Sequence, residues 1–375
     1  MGAQCMRVLV TGGAGFIGSH TTDRLIERGH EVRVLDSLEL PVHQTGAPAY
    51  LAPEVEFIHG DVTQRQDLLA ALDGIEAVYH FAAYQDYLPD FSRFFQVNAA
   101  GTALLYELAV EHEIPLKKIV TASSQAVAGE GRYRCESKHE FVPDMRSEAT
   151  LRAGRYDHDC PTCGSPASWN PTDTAVAQPQ SAYGLSKHAQ ERIALSLGAR
   201  YDIPSVAMRY SIVQGPRQSP HNAYSGACRV FCLSFLSDQE PPIYEDGQQI
   251  RDFVNIHDVI DANLLVLEND EANGRVFNVG GGRAYTVAEF ARITASAFGR
   301  DYEPTPSGRY RFGDTRHIFS DCSELRGLGW EPKRDAAHSV AEYVNWLREQ
   351  DDLDDILDRA NQRMQQLGVV REIET

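Results

Sequence analysis

The sequence predicts an α/β protein built on a doubly wound, mostly parallel sheet, and three observations predict it. Apolar runs of strand length alternate with segments of helical period through the first 130 residues. The connections between them are short. A glycine-rich turn joins the first apolar run to the first helical segment, the signature of a strand–turn–helix unit. The chain has 375 residues, long for one core, and is 42% hydrophobic and 23% charged, an ordinary globular composition that excludes disorder and fibrous repeats.

The elements follow in order. Residues 6–10 read as a buried parallel strand, residues 11–18 as the turn, and residues 19–28 as an amphipathic helix stopped at Gly29. A second strand, residues 31–36, ends in Asp36. Strands at 55–58, 77–81 and 118–121 then alternate with helical patterns at 66–72 and 97–112. Over residues 132–174 the rhythm fails, because Arg, Asp, Ser, Pro and Cys crowd out both periods, so the segment reads as an insertion. Helical period resumes at 183–200, and residues 205–210 read as another strand of the first sheet. This divides the chain into a first domain (1–131 and 175–212), the insertion (132–174), a smaller C-terminal α/β region that is mainly substrate-binding (213–347), and a helical tail (348–375) with Leu353, Ile356 and Leu357 at helical spacing, which reads as a surface or subunit-packing helix.

Charge and hydropathy exclude two partner classes. Lys and Arg number 35 against 53 Asp and Glu, a formal charge of −18 that repels a nucleic-acid backbone. No apolar run is long enough to span a bilayer, and the N-terminal apolar segment runs straight into glycines instead of a cleavage site. A cytoplasmic enzyme without membrane attachment is expected.

The glycines match G-x-G-x-x-G as Gly13, Gly15 and Gly18, and G-x-x-G-x-x-G as Gly12, Gly15 and Gly18. Residues lacking Cβ let the backbone turn tightly and approach a pyrophosphate, whose charge meets the N–H groups opening the helix. Asp36 stands where an acid binds adenosine ribose hydroxyls, and it would repel a 2′-phosphate, which favours NAD. Further on, Tyr183 and Lys187 share a helix face at i, i+4. A free tyrosine, with a pKa of about 10, becomes a base near neutrality only if a cation steadies its phenolate.

These pieces together resemble the extended short-chain dehydrogenase/reductase superfamily, in its nucleotide-sugar epimerase/dehydratase branch. The matching segments are residues 11–18, Gly60-Asp61-Val62, residues 80–83, Val97-Asn98, Ser123-Ser124 with Val127 and Gly129, residues 183–187, Arg209-Tyr210 with Gly215-Pro216, residues 251–254 with 257–259, and residues 278–281. The resemblance implies a Rossmann-type fold in which Asp61 and Val62 flank the adenine while Phe81, Ala82, Ala83, Tyr84 and Asn98 line the cofactor. Phe16, Ile17, Ser37 and Tyr210 complete the expected NAD set. Ser124 and Tyr183 would meet the sugar hydroxyl, and Lys187 the nicotinamide ribose.

Family dehydratases carry an Asp-Glu pair after the hydroxyl residue, but here Ser124 is followed by Gln125-Ala126; the 3,5-epimerases of the family place a cysteine there, and this chain has Ala126 and Val127. The resemblance to UDP-glucose 4-epimerases therefore implies tightly bound NAD and reversible oxidation at C4, with Gln125 beside the sugar. A dehydrogenase or reductase of the same fold, or a non-catalytic NAD-binding regulator, is the alternative. Ile212 replaces the family's usual phosphate-contacting Asn and Ala128 its usual aromatic, so Arg251 and Arg316 are the expected diphosphate ligands. The resemblance also implies a homodimer through helices 97–112 and 183–200, where Leu104, Leu105, Leu108 and Ala109 offer apolar surface.

Seven cysteines are unusual for such a protein. Cys160-Pro161-Thr162-Cys163-Gly164 has the form of a zinc knuckle, and Cys135 with His139 completes four ligands, His158 being the alternative fourth. A polar, irregular segment cannot fold on an apolar core, so structural zinc is expected to organise it. It enters between the strand ending at Ser124 and the helix beginning near Tyr183, so it should wall or cover the substrate pocket; a surface lobe that binds a partner is the alternative. Cys228 and Cys232, at i, i+4 among apolar residues, read as core; Cys5 and Cys322 carry no signal.

Overall fold

The strands and helices were placed in a computed structural model that describes residues 5–86, 88–222, 226–351, 353 and 356–374. In chain order, β1 (Arg7–Thr11), α1 (Phe16–Glu27), β2 (Glu31–Asp36), β3 (Glu56–His59), α2 (Arg65–Leu72) and β4 (Ala77–His80) come first. A helix then opens as α3 (Phe91–Phe94), widens into a π-type turn over Phe95–Ala100 and continues as α4 (Gly101–Glu111) into β5 (Lys118–Ser124). The insertion holds β6 (Arg132–Cys135), β7 (Glu140–Phe141), α5 (Glu148–Arg152) and β8 (Ala167–Asn170). Next are α6 (Ala182–Tyr201), β9 (Ser205–Tyr210), β10 (Ile212–Gln214), α7 (Gly226–Leu236), β11 (Ile250–Asn255) and α8 (Ile256–Glu268). The chain closes with β12 (Val276–Val279), β13 (Ala284–Thr286), α9 (Val287–Ala297), β14 (Arg309–Arg311), α10 (Ser323–Gly327), α11 (Ala336–Leu347), α12 (Ile356–Gln366) and β15 (Val370–Glu372).

The predicted sheet is present: seven parallel strands in the order β3-β2-β1-β4-β5-β9-β12. Its strands read as unbroken apolar runs because both faces are buried. Val8 and Val10 enter one core with Tyr79, Val120 and Val259, while Leu9 enters the opposite core with Val78, Ile119, Leu68 and Leu105. Successive residues thus serve opposite layers, as the strand period dictates.

Four sequence expectations change in the structure. First, the insertion has regular structure, an antiparallel sheet in the order β7-β6-β8. Its strands are two to four residues long, too short for a period-two pattern to register. Second, residues after 212 do not stay apart from the first layer: β12 pairs with β9, and α8 packs on the sheet beside α1. What stays apart is a second core, the three-stranded sheet β10-β11-β13 with α7, α9 and α11 around Phe231, Phe253, Phe290 and Tyr343. Third, Leu105, Leu108 and Ala109 are consumed by the chain's own core, so the apolar surplus of α4 is not a vacant face. Fourth, the tail helix packs Ile356 and Leu357 on the second core and adds β15 to β14. No helix among the described residues is long and apolar enough to cross a membrane.

One buried ion pair fastens the elements that carry the site. Arg209 on β9 grips Glu191 of α6 with Nε and Nη2, at 2.9 and 2.7 Å, and donates through Nη1 to the carbonyls of Thr174 and Val176. Ser123 of β5 donates to the same carboxylate at 2.9 Å. Arg209 and Glu191 are only 2% and 3% exposed. Arg209→Met strands the Glu191 charge in the core and should cost ~3–5 kcal/mol, read from urea unfolding followed by circular dichroism; a loss below 1 kcal/mol would refute this role.

Candidate active site and metal centre

Because the strands run parallel and the order reverses between β1 and β4, their C-terminal ends open into one crevice. It is a cavity of about 590 Å³. Its walls include Gly12, Gly15, Phe16, Ile17 and Gly18 after β1, Asp36 and Ser37 at the end of β2, and Asp61 and Val62 after β3. Phe81, Ala82, Ala83 and Tyr84 follow from β4, and Tyr210 from β9. Gly12 has φ +68°, and a Cβ there would lie 2.7 Å from the backbone nitrogen of Ala82. A side chain there would collide with the backbone leaving β4, so only glycine lets the turn pack against that segment. Asp36 accepts from the N–H groups of Ala14 at 3.0 Å and Leu38 at 2.9 Å, so its carboxylate is fixed beside that turn.

Ser124 ends β5 and its Oγ accepts from the N–H of Ala126. Tyr183 and Lys187 occupy the first turns of α6, which Ser181 caps by accepting from the N–H of Gly184 at 3.0 Å. Gly184 lets the helix start touch the strand end, since a Cβ there would sit 2.7 Å from the Ala126 carbonyl. Ser124 and Tyr183 share a side-chain hydrogen bond, and the Lys187 ammonium lies 5.9 Å from the Tyr183 ring centre. Lys187 donates to the Ala122 carbonyl at 2.9 Å and to Gln190 at 2.8 Å. Burial lowers the Lys187 pKa to about 7. Burial also pushes the Tyr183 phenol up to about 12, against the opposing effect of the Ser124 bond. The cluster can thus hold and pass a proton at one substrate hydroxyl, and any positive charge arriving beside Tyr183 favours its phenolate.

Two expected ligands are placed elsewhere. Asn98 is fully buried: it accepts from the Tyr84 N–H at 2.8 Å and donates to the Tyr84 carbonyl and Ser186 Oγ. It fixes the segment that lines the cavity without lining it. Arg316 is turned from the cavity, with its guanidinium committed to Asp157, Glu245 and Asp246 at 2.7–3.1 Å. Arg251 does line the wall, held by the carbonyls of Ile250 and Arg316 and the Asp314 carboxylate. Gln125 lines it too, its Nε2 donating to Ser320 Oγ at 2.9 Å and Ser211 Oγ at 3.3 Å.

Sequence reasoning missed Arg311, Tyr244, Gln249 and His43 in the walls. Arg311 had one signal, the alternation Arg309-Tyr310-Arg311 in which Tyr310 is the buried member of β14. His43 lies 3.8 Å from Asp36, and burial lowers its pKa, keeping it neutral; nothing local announced the pair.

Within the insertion, Cys135, His139, Cys160 and Cys163 bring their ligand atoms within 4.8 Å of one another. His139 Nδ1 lies 3.5 Å from Cys135 Sγ and 3.6 Å from Cys160 Sγ, and Cys163 Sγ lies 3.8 Å from Cys135 Sγ. A tetrahedral zinc with Zn–S of about 2.3 Å and Zn–N of about 2.0 Å requires S···S near 3.8 Å and S···N near 3.5 Å, so the donor set fits. Two turns build it: the β6–β7 hairpin, and a knuckle in which Gly164 donates to the Cys160 carbonyl at 2.8 Å. His158, the alternative fourth ligand, is outside the cluster, with Nε2 3.4 Å from Glu130.

A doubly wound sheet with a glycine cradle, an acid after β2 and a Ser/Tyr/Lys cluster defines a class of dinucleotide-dependent enzymes. The chain belongs to the NAD dependent epimerase/dehydratase family, which it matches over residues 8–148 and 160–280. It is 33% identical over 362 residues to the dTDP-L-rhamnose 4-epimerase of Burkholderia thailandensis, covering 95% of this chain and 97% of that one. The UDP-glucose 4-epimerase of Thermotoga maritima, solved with UDP-glucose, has a TM-score of 0.74 at 28% identity, covering 92% and 99% of the two chains. The dTDP-glucose 4,6-dehydratase DesIV of Streptomyces venezuelae, solved with NAD, has a TM-score of 0.72 at 26% identity, covering 92% and 98%.

Beneath the crevice His80 bridges Thr11 Oγ1 at 2.9 Å and Thr102 Oγ1 at 3.0 Å, tying β1 and β4 to the helix. Burial lowers its pKa from 6.5 to about 3. The unfolded chain therefore takes up this proton first, and stability should fall as pH drops from about 6.5 toward 3. His80→Gln should flatten that slope by up to about 1.4 kcal/mol per pH unit, read as the pH dependence of the urea midpoint. An unchanged slope would mean that His80 is not a buried neutral group.

Proposed function

We propose that the protein is an NAD-dependent epimerase of a nucleotide-activated sugar that inverts C4 through a transient 4-keto sugar. One observation carries this over dehydration: no carboxylate of the cavity wall, among the described residues, stands next to Ser124 and Tyr183. The acids there are Asp36 at the end of β2, Glu39 beyond it, Asp61 after β3, and Asp314, which is engaged with Arg251. Eliminating water needs an acid and a base at adjacent carbons, whereas Gln125 offers only an amide. Tyr183, steadied by Ser124 and Lys187, takes the proton of one sugar hydroxyl and returns it. NAD, when bound, supplies the hydride acceptor and donor for that carbon. Asp36 favours NAD over a 2′-phosphorylated cofactor, and Arg251 and Arg311 supply the cations for a diphosphate. The 4-epimerases among the relatives support the same reading. Pairing of two copies through α4 and α6 would cover Val110 and Leu185, which are exposed.

The Cys₃His cluster we read as structural zinc: four protein ligands leave no open position for activating water. About one zinc per chain is expected by metal analysis, and Cys160→Ser with Cys163→Ser should abolish it; a variant with normal metal content would refute the ligand set. For the reaction, NMR of nucleotide sugars incubated with purified protein should show epimers forming without added cofactor. Tyr183→Phe should lower turnover by roughly 10²–10⁴ while NAD stays bound. Dependence on stoichiometric NAD(H) would point instead to a dehydrogenase, and an unchanged rate in Tyr183→Phe would remove the tyrosine from the mechanism.

A further inference from the structure

The insertion touches the substrate region through a buried cluster of charges. Glu130, Arg146, Glu245 and Arg316 are 1%, 5%, 3% and 2% exposed. Arg146 comes from the insertion. Its Nη1 and Nη2 grip the Glu245 carboxylate at 2.8 and 3.0 Å, and Nη2 also donates to the Asp314 carbonyl at 2.6 Å. Nη1 reaches back to the Tyr156 carbonyl within the insertion at 3.3 Å.

Both far partners belong to segments that shape the cavity. Glu245 follows Tyr244, a wall residue, and holds a left-handed φ of +56°, which an L residue keeps only when its neighbours fix it. Asp314 accepts from Arg251 through its carboxylate at 3.3 Å, while Arg146 holds its carbonyl. The other inter-segment contact of Arg251 is the Arg316 carbonyl at 3.1 Å. Arg316 in turn is gripped by Asp157, again from the insertion, at 2.7 Å. Two insertion side chains thus secure both residues that aim Arg251.

We infer that Arg146 is a positioning residue for nucleotide-diphosphate binding, and that the insertion acts as a fixed brace behind the cavity wall, not as a lid over its mouth. The inference rests on the proposed reading of Arg251 as a diphosphate ligand. A lid must part from the body it covers, but here parting would separate a bidentate, buried arginine–carboxylate pair. The brace acts on binding, because Arg251 and Tyr244 are wall residues while Ser124, Tyr183 and Lys187 are held by β5 and α6.

The test uses the full-length holoprotein and its Arg146→Met and Arg146→Lys variants, with Kd values for UDP, dTDP and GDP measured by calorimetry. Arg146→Met should weaken the bound nucleotide at least tenfold and raise KM for its sugar alike, with kcat within threefold and zinc and NAD contents unchanged. Arg146→Lys keeps the charge without the fork and should fall between. An unchanged Kd in Arg146→Met, or a kcat loss as large as the loss in kcat/KM, would overturn the inference. So would loss of zinc or NAD from both variants, which would place Arg146 in the folding of the insertion. If the unaltered protein binds none of the three nucleotides, the reading of the cavity itself fails, and the brace with it.

Discussion

Parallel pairing is the constraint on which the rest depends. Strands that share one direction end on one edge, so every loop leaving β1, β2, β3, β4, β5 and β9 is delivered to a single line. The glycine turn, Asp36, Ser124 and Tyr183 come from segments far apart in sequence, and the sheet gathers them around one cavity. The cost is that the edge has no regular structure of its own. Its geometry is held by side chains that never face the cavity: Asn98 under Tyr84, His80 between two threonines, and Glu191 between Ser123 and Arg209.

Much of the site was legible because its chemistry is local. Gly12, Gly15 and Gly18 answer a backbone requirement, Asp36 ends its strand, and Tyr183 and Lys187 meet on one helix turn; each is a spacing rule that a sequence displays. The clustering of Cys135, His139, Cys160 and Cys163 was legible for the same reason, since hairpin and knuckle fix their separations. Arg316 was misread because a long side chain chooses its partners in space, and Asp157 and Asp246 are distant in the chain. Arg146 gave no signal at all. The apolar face of α4 looked like surplus because composition cannot say how many neighbours a helix has; Leu105 and Leu108 face the sheet and α6 together.

Burial holds both members of the Tyr183–Lys187 pair toward their neutral forms. The chain is strongly acidic overall, yet the cavity wall holds a lysine whose ammonium is suppressed by burial and a tyrosine whose phenolate is suppressed likewise. Neither shift stabilises the protein. Both leave groups whose protonation responds to a nearby charge, which is the property proton transfer needs.

The insertion has one more consequence, in the order of assembly. Ser124 and Tyr183 flank it, so bringing them together means closing the whole excursion as a loop, at an entropic cost that grows with its length. The β6–β7 hairpin and the knuckle form from near neighbours, and their meeting at the Cys/His cluster, from Cys135 to Cys163, ties off about half of that slack. The cluster thereby shortens the effective chain that separates Ser124 from Tyr183, and each halving of such a loop lowers its closure cost by roughly 0.6 kcal/mol.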